Sequence, residues 1–259
     1  MFIQLGSALV FNLFYFRYIL GPKTNFPLNL RFENPSSNVS SDGSIPRILT
    51  GTTSEVTCRD GHLVFYLFGG FEPDAWLLRD TSPTARRHDR VNHVYALDLT
   101  RLRWLPEVAA VSAIDDSDNS PTGKARVAQQ RRRLPSPRDK HNMCEYGERL
   151  YVFGGYGPSI MQYLHEQGNW DASGDPNGGL DETLGWNNQL LELDLRALVW
   201  RNPRTSGSIP ASRAASASCL VRNLWFIFGG RHMDSRLNDL YFLNVDTLVW
   251  TRYSQCTKY

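Results

Sequence analysis

Cysteine is scarce in this sequence, and its four copies, Cys58, Cys144, Cys219 and Cys256, never approach the CxxC spacing of a zinc or redox site. Spread so widely, they read as reduced, mostly buried thiols of an intracellular protein. The six histidines (His62, His88, His93, His141, His165 and His232) form no HxH or HExxH pattern, so no metal site is expected. No glycine-rich phosphate loop opens a helix, and no G-x-S-x-G elbow is present. An enzyme needs a convergent acid, base, nucleophile or metal, and none is legible. The expectation is a non-catalytic protein without a cofactor. Net charge is small too, at +2, and makes no case for a nucleic-acid partner. The acidic run 115–118 reads as solvated.

Long apolar runs are confined to the N-terminus. Residues 1–16 carry no charge, Arg17 interrupts them, and three apolar residues follow. That is short of the roughly 17–25 residues of a membrane span, and the basic start and cleavage site of a secretory signal are missing. A buried strand pair or a wrongly spliced first exon is the plainer reading; a membrane anchor over residues 1–20 stays open as the alternative to a cytoplasmic or nuclear location. Asn38 would accept a glycan only in a secreted chain. Residues 21–46, rich in Pro, Asn and Ser, read as a linker, so 1–44 is set apart from a repeat region over 45–259.

What the chain has in quantity is glycine, 20 copies, and aromatics at 12%, seven of them Trp, which suits an all-β protein with many turns. It also repeats itself. "LVFYLFGGF" (63–71), "LYVFGGY" (150–156) and "LWFIFGGR" (224–231) are one phrase, an apolar run closed by Gly-Gly. A second phrase follows each, in which Asn92, Asn188 and Asn238 stand six residues before Asp98, Asp194 and Asn244. Those stand six before Trp104, Trp200 and Trp250. A third phrase precedes the glycines: "IPR" (45–47), "SPR" (136–138) and "ASR" (211–213). Three phrases in one order, three times over, mark a repeat architecture.

Each unit reads as a four-stranded antiparallel meander, with units over about 45–105, 135–201 and 209–251. The strand before Gly-Gly is apolar enough to be buried on both faces. The glycines permit positive φ where backbones crowd. The Asp or Asn closes a hairpin, and the Trp covers the gap to the adjacent unit. Such units stack radially as blades of a propeller. The glycine pairs lie farther apart than the roughly 50 residues of a plain blade, so insertions are expected at 72–91 and 157–186. A disordered one is expected at 106–134.

Loops after the glycine pairs should emerge on one face, the usual binding face. Arg231, Arg236 and Tyr156 fall there, Trp186 should hang over the same mouth, and Lys140 lies in the strand opening the middle unit. Together they would make a basic, aromatic-walled pocket suited to a carboxylate, whose two oxygens a guanidinium fork meets at once. The competing reading has Arg231 and Arg236 paired with Asp234 or Asp239 as ordinary loop arginines.

From Arg47 to Trp250 these phrases resemble the kelch repeat, and "SPRDKHNM" carries that family's Arg-x-x-His. Ser216 stands in place of the His in the third unit, and the first unit has none. The resemblance implies an all-β kelch β-propeller, here three blades of an incomplete ring with an N-terminal extension, and hence a fragment of a longer protein. "SPRDKHN", "GWNN", "SRAA" and "FGGRxxDxRxNDL" are further similar to a group of kelch receptors that serve a cullin-2 RING ubiquitin ligase. That group holds substrates ending in glycine by the C-terminal carboxylate. The similarity implies carboxylate binding by Arg231, Arg236 and Lys140, pocket walls from Tyr156 and Trp186, and protein or peptide C-termini as partners. Leu184 replaces an arginine of that group. A Ser-Trp pair of a following blade, and the C-terminal helices that dock elongin and cullin-2, are expected beyond Tyr259. A generic kelch interaction scaffold is the alternative.

Overall fold

The computed structural model describes residues 49–71, 91–101, 103–105, 120, 134–159, 170–172 and 183–254. The N-terminal segment and linker, the 72–90 stretch, most of 106–134 and Cys256 lie outside the described residues. What is described is all-β. Strands β1 (Thr53–Arg59), β2 (His62–Phe68), β3 (Val94–Asp98) and β4 (Arg103–Trp104) form the first sheet, an antiparallel meander. The middle unit begins with β5 (Asn142–Tyr146) and β6 (Arg149–Phe153). After an excursion through β7 (Tyr156–Ser159), β8 (Trp170–Ala172) and β9 (Thr183–Asn187), it resumes with β10 (Leu190–Asp194) and β11 (Val199–Arg201). The excursion is the 157–186 insertion, which folds into a small sheet of its own, β7-β9-β8.

The third unit is β13 (Ala217–Val221), β14 (Leu224–His232), β15 (Ser235–Asn244) and β16 (Val249–Tyr253). A short parallel strand, β12 (Ser206–Gly207), is added at its outer edge, which the sequence pattern did not predict. The opening strands β1, β5 and β13 lie beside one another in succession, so the three sheets fan outward from a common inner rim as propeller blades do.

Each repeated residue has a mechanical task. All six glycines of the pairs have positive φ, and a Cβ on Gly69 or Gly154 would meet the carbonyl oxygen of Arg138 or Arg213 at 2.6 or 2.7 Å. Asp98, Asp194 and Asn244 each accept two backbone N–H bonds from the turn that follows. Asn92 and Asn188 donate to the carbonyls of Pro135 and Pro210 at 2.8 and 3.0 Å, stapling one unit to the next. Trp200 lies against Phe68 of the first sheet, and Trp250 against Phe153 of the second, with ring centres 5.0 and 4.8 Å apart. Sheets one and two share one core, sheets two and three another.

Four expectations need correction. Of the three strands that precede a glycine pair, only β6 is buried on both faces; β2 and β14 alternate, because each has a neighbouring sheet on one side only among the described residues. Among the described thiols Cys144 is buried but Cys58 and Cys219 are exposed. Cys219 occupies the place of Cys144 in a sheet whose outward face is open. The first unit was aligned on Arg47, yet the bridges Thr50–Phe71, Asp139–Tyr156 and Ala214–Arg231 make Leu49 the counterpart of Arg138 and Arg213. Leu134, at the end of the 106–134 stretch, belongs to the core.

Two groups, the buried His141 and the half-buried Glu55, titrate against their usual habit, in opposite senses. His141 packs on Phe68, with Nε2 at 2.5 Å from the Thr53 hydroxyl; burial, and then the charge of Arg138, hold it down to about 3 from 6.5. Burial, and then the Glu145 charge, push Glu55 up to about 7 from 4.5. Below pH 6.5 the unfolded chain binds a proton at His141 that the folded chain refuses, so stability falls toward pH 3. Between pH 7 and 4.5 the folded chain binds the Glu55 proton first, so stability rises as pH falls. The two oppose each other down to about pH 4.5. Urea midpoints followed against pH should therefore stay level and drop below 4.5, whereas Glu55→Gln should begin its decline near 6.5. An unchanged onset in that variant would remove Glu55 from the account.

Candidate site at the glycine-pair rim

The residue after each glycine pair is bridged to the strand that opens its own sheet, which fixes Phe71, Tyr156 and Arg231 at equivalent places on one rim. In the third unit β14 and β15 run on past the glycines as a tight hairpin turned at Met233 and Asp234, with Met233 in the left-handed region. What the sequence suggested as a loop is thus paired strand. Arg231 and Arg236 stand directly opposite each other in its register, so both side chains leave the same face. In the middle unit the corresponding register position pairs Tyr156 with Trp186. Four of the five candidate residues are therefore two cross-strand pairs at one structural position, in neighbouring units.

The two pairs meet. The Tyr156 and Trp186 rings are 5.0 Å apart, and the Arg231 guanidinium lies 5.9 Å over the Trp186 ring. Trp186 is 8% exposed, so it forms the floor of this corner and does not hang free over a mouth, because β9 pairs it down onto β7 and β8. Arg231 Nε donates to the Met233 carbonyl at 2.6 Å, and its Nη2 lies 3.6 Å from Asp234, whose carboxylate is fully exposed. Arg236 is exposed and has no ion-pair partner among the described residues. Asp239 is not available to either arginine, since it takes a bidentate contact from Arg213 at 2.6 and 3.1 Å.

Lys140 sits one rim position away, where Gly51 and Ala215 are its counterparts; all three have positive φ, and backbone bonds link 140 to 51 and 215 to 140. Its ammonium is 3.0 Å from the buried Asp139 carboxylate, which turns it toward its own strand. The sequence reading overlooked His232. Its Nδ1 is 2.7 Å from the Ser212 carbonyl, so it donates there, and its ring lies 6.2 Å from Trp186. Its place directly after Arg231 was the available signal.

Like charges set opposite each other on paired strands repel. Here they share a corner with two aromatic rings, so the arrangement can hold a planar anion in a fork while apolar surface covers its flanks. Among the described residues no group of acids, cysteines and histidines could hold a metal. No described helix is long and apolar enough to cross a membrane.

Four-stranded sheets joined at the inner rim, with Trp of one seated on Phe of the last, make this a β-propeller of protein-interaction type. The chain belongs to the kelch-repeat family: the KLHDC2/KLHL20/DRC7 kelch-repeats domain matches residues 28–258. It is similar to kelch domain-containing protein 2 of Bos taurus, at 30% identity over 82% of this chain and 43% of that protein. It is also similar to kelch domain-containing protein 1 of Homo sapiens, at 28% over 81% of this chain and 43% of that protein. A shorter stretch, 45% of the chain, is 38% identical to kelch domain-containing protein 1 of Mus musculus. The chain spans about two-fifths of the length of these relatives.

Proposed function

We propose that this chain is the substrate-recognition part of a non-catalytic receptor for a cullin-RING ubiquitin ligase, one that binds glycine-ending C-terminal degrons. The observation that carries the reading is the Arg231–Arg236 cross-strand pair against the Trp186 ring. Two cations held face to face gain most from a ligand with two anionic oxygens, and a peptide C-terminus supplies them. Tyr156 at the side and Trp186 as the floor would leave little space for a side chain on the last residue. Lys140 adds a second-rank charge, already engaged with Asp139. Engagement of cullin-2 and elongin would require the adaptor-docking helices that the resemblance implies. The generic scaffold remains the competing reading, favoured by the Arg231–Asp234 contact and by Leu184.

The test is a calorimetric titration with a Gly-Gly-ending peptide, its C-terminal amide and a Gly-Ala-ending version. Breaking one side of a desolvated charge pair costs about 2–5 kcal/mol, so Arg231→Ala or Arg236→Ala should each weaken the free acid by at least about thirtyfold. Lysine at either position should restore only part, since an ammonium lacks the fork. Equal binding of amide and acid would favour the scaffold.

A further inference from the structure

Arg231 is held by its own hairpin before any ligand arrives. A guanidinium offers acceptors two kinds of edge, one formed by Nε and an Nη, the other by the two Nη atoms. The side edge is occupied from within: Nε donates to the Met233 carbonyl at 2.6 Å, and Nη2 lies 3.6 Å from an Asp234 carboxylate oxygen. The flat face looks onto the Trp186 ring, 5.9 Å away and within cation–π reach. The outer edge, Nη1 and Nη2, is the one left for a planar anion.

The two contacts on the side edge are unequal. At 2.6 Å the Met233 contact is a full hydrogen bond, and the turn is bent to make it, with Met233 at φ 50, a region unfavourable to a residue with a Cβ. At 3.6 Å the Asp234 carboxylate is past hydrogen-bond length and is held by charge alone. Met233 is therefore an anchor and Asp234 a counterion. The place calls for a counterion, because Arg231 and Arg236 stand opposite each other in register and like charges so placed repel. Asp139 and Asp239 are engaged by Lys140 and Arg213. Among the described residues Asp234 is the acid that answers the arginine pair.

We infer that Asp234 is an internal competitor of the ligand: it stands in for the peptide's carboxylate while the site is empty and leaves Nη2 when the terminal carboxylate arrives. The inference rests on the receptor reading above, in which the arginine pair takes a peptide C-terminus. In the bound state Met233 still fixes Nε, the incoming carboxylate spans Nη1 and Nη2, and Asp234 turns to solvent. The contact with Asp234 thus becomes part of the site, whereas alone it would mark an ordinary loop arginine. Competition of this kind lowers, by one factor, the affinity of every anion that uses Arg231. Weakly held side-chain carboxylates are kept out by it, while a C-terminus that also lies against Tyr156 and Trp186 is still bound.

The experiment is a calorimetric titration of the 259-residue chain with a Gly-Gly-ending peptide and with its C-terminal amide. Asp234→Asn keeps the shape of the side chain and removes its charge. It should tighten binding of the free acid by about two- to fivefold, the weight of one exposed ion pair, and widen the acid-over-amide ratio by a like factor. Asp234→Glu keeps the charge and should leave that ratio near its wild-type value. If wild type prefers acid to amide and Asp234→Asn brings no gain, the competitor is overturned and the receptor reading stands. Weaker acid binding by Asp234→Asn would also overturn it, and would make Asp234 a group that orients Arg231. A ratio widened equally by Asp234→Glu would overturn it too, since charge would then not be the cause. Wild type that takes acid and amide alike would overturn the inference and the receptor reading together.

Discussion

Trp250→Ala should lower the stability of this protein by about 3–5 kcal/mol, the cost of deleting a large buried aromatic and leaving its cavity. Trp250 is 1% exposed, lies on Phe153 of the preceding sheet, and belongs to the core that joins second and third units. Its loss removes contacts on both sides of that junction at once. The effect should separate from that of the polar indole edge, because Nε1 is buried and has no partner among the described residues. Trp250→Phe keeps a ring on Phe153 and discards the unpaired N–H, so it should cost much less than the alanine change. Chemical denaturation of the two variants distinguishes the possibilities. If both fall equally, the indole is held by polar contact and not by packing. Trp200→Ala should behave as Trp250→Ala does, since Trp200 stands in the same place on Phe68.

Arg213→Leu should be comparably damaging, by about 3–5 kcal/mol, for an electrostatic reason. The guanidinium is 1% exposed and ties together the Ala211 and Gly229 carbonyls and both oxygens of Asp239. Burial by itself would raise the Asp239 pKa, but hydrogen bonds and charge from Arg213 outweigh it and hold the carboxyl below its ordinary value. Removing the arginine strands that carboxylate in a half-buried place. The chain contains its own answer to the problem: in the first unit Leu49 stands where Arg213 does, and His93 stands where Asp239 does. The double variant Arg213→Leu/Asp239→His should therefore recover roughly 1 kcal/mol or more of the single loss. Additive losses in the double-mutant cycle would deny the coupling. The middle unit uses a third solution, in which Arg138 donates to the Gly154 carbonyl and to the amide oxygens of Asn187 and Gln189. Burial there pulls the guanidinium down to about 9, still charged at neutral pH.

The repeat was legible in the sequence because its marks are local. Gly-Gly needs positive φ at two successive residues, Asp98, Asp194 and Asn244 cap the turn that directly follows them, and an apolar run of strand length shows wherever it falls. Offsets of six residues then give the order of strands without any tertiary knowledge. The candidate arginines were legible for the same reason, as they stand beside the glycines. What the chain could not disclose depends on pairing across space. That Arg231 faces Arg236 follows from a register irregularity between Phe228 and Gly230, and no spacing rule supplies it. Trp186 became floor and not lip because the insertion pairs with itself, so a residue far along the chain is drawn down onto Tyr156. The misplaced arginine of the first unit has the same origin: a motif three residues long can slide by two, whereas the bridge between Thr50 and Phe71 cannot. Sequence specified each sheet, since a sheet's turns and strands are short-range choices. Tertiary structure alone decided which faces are covered, because burial depends on which sheet stands next.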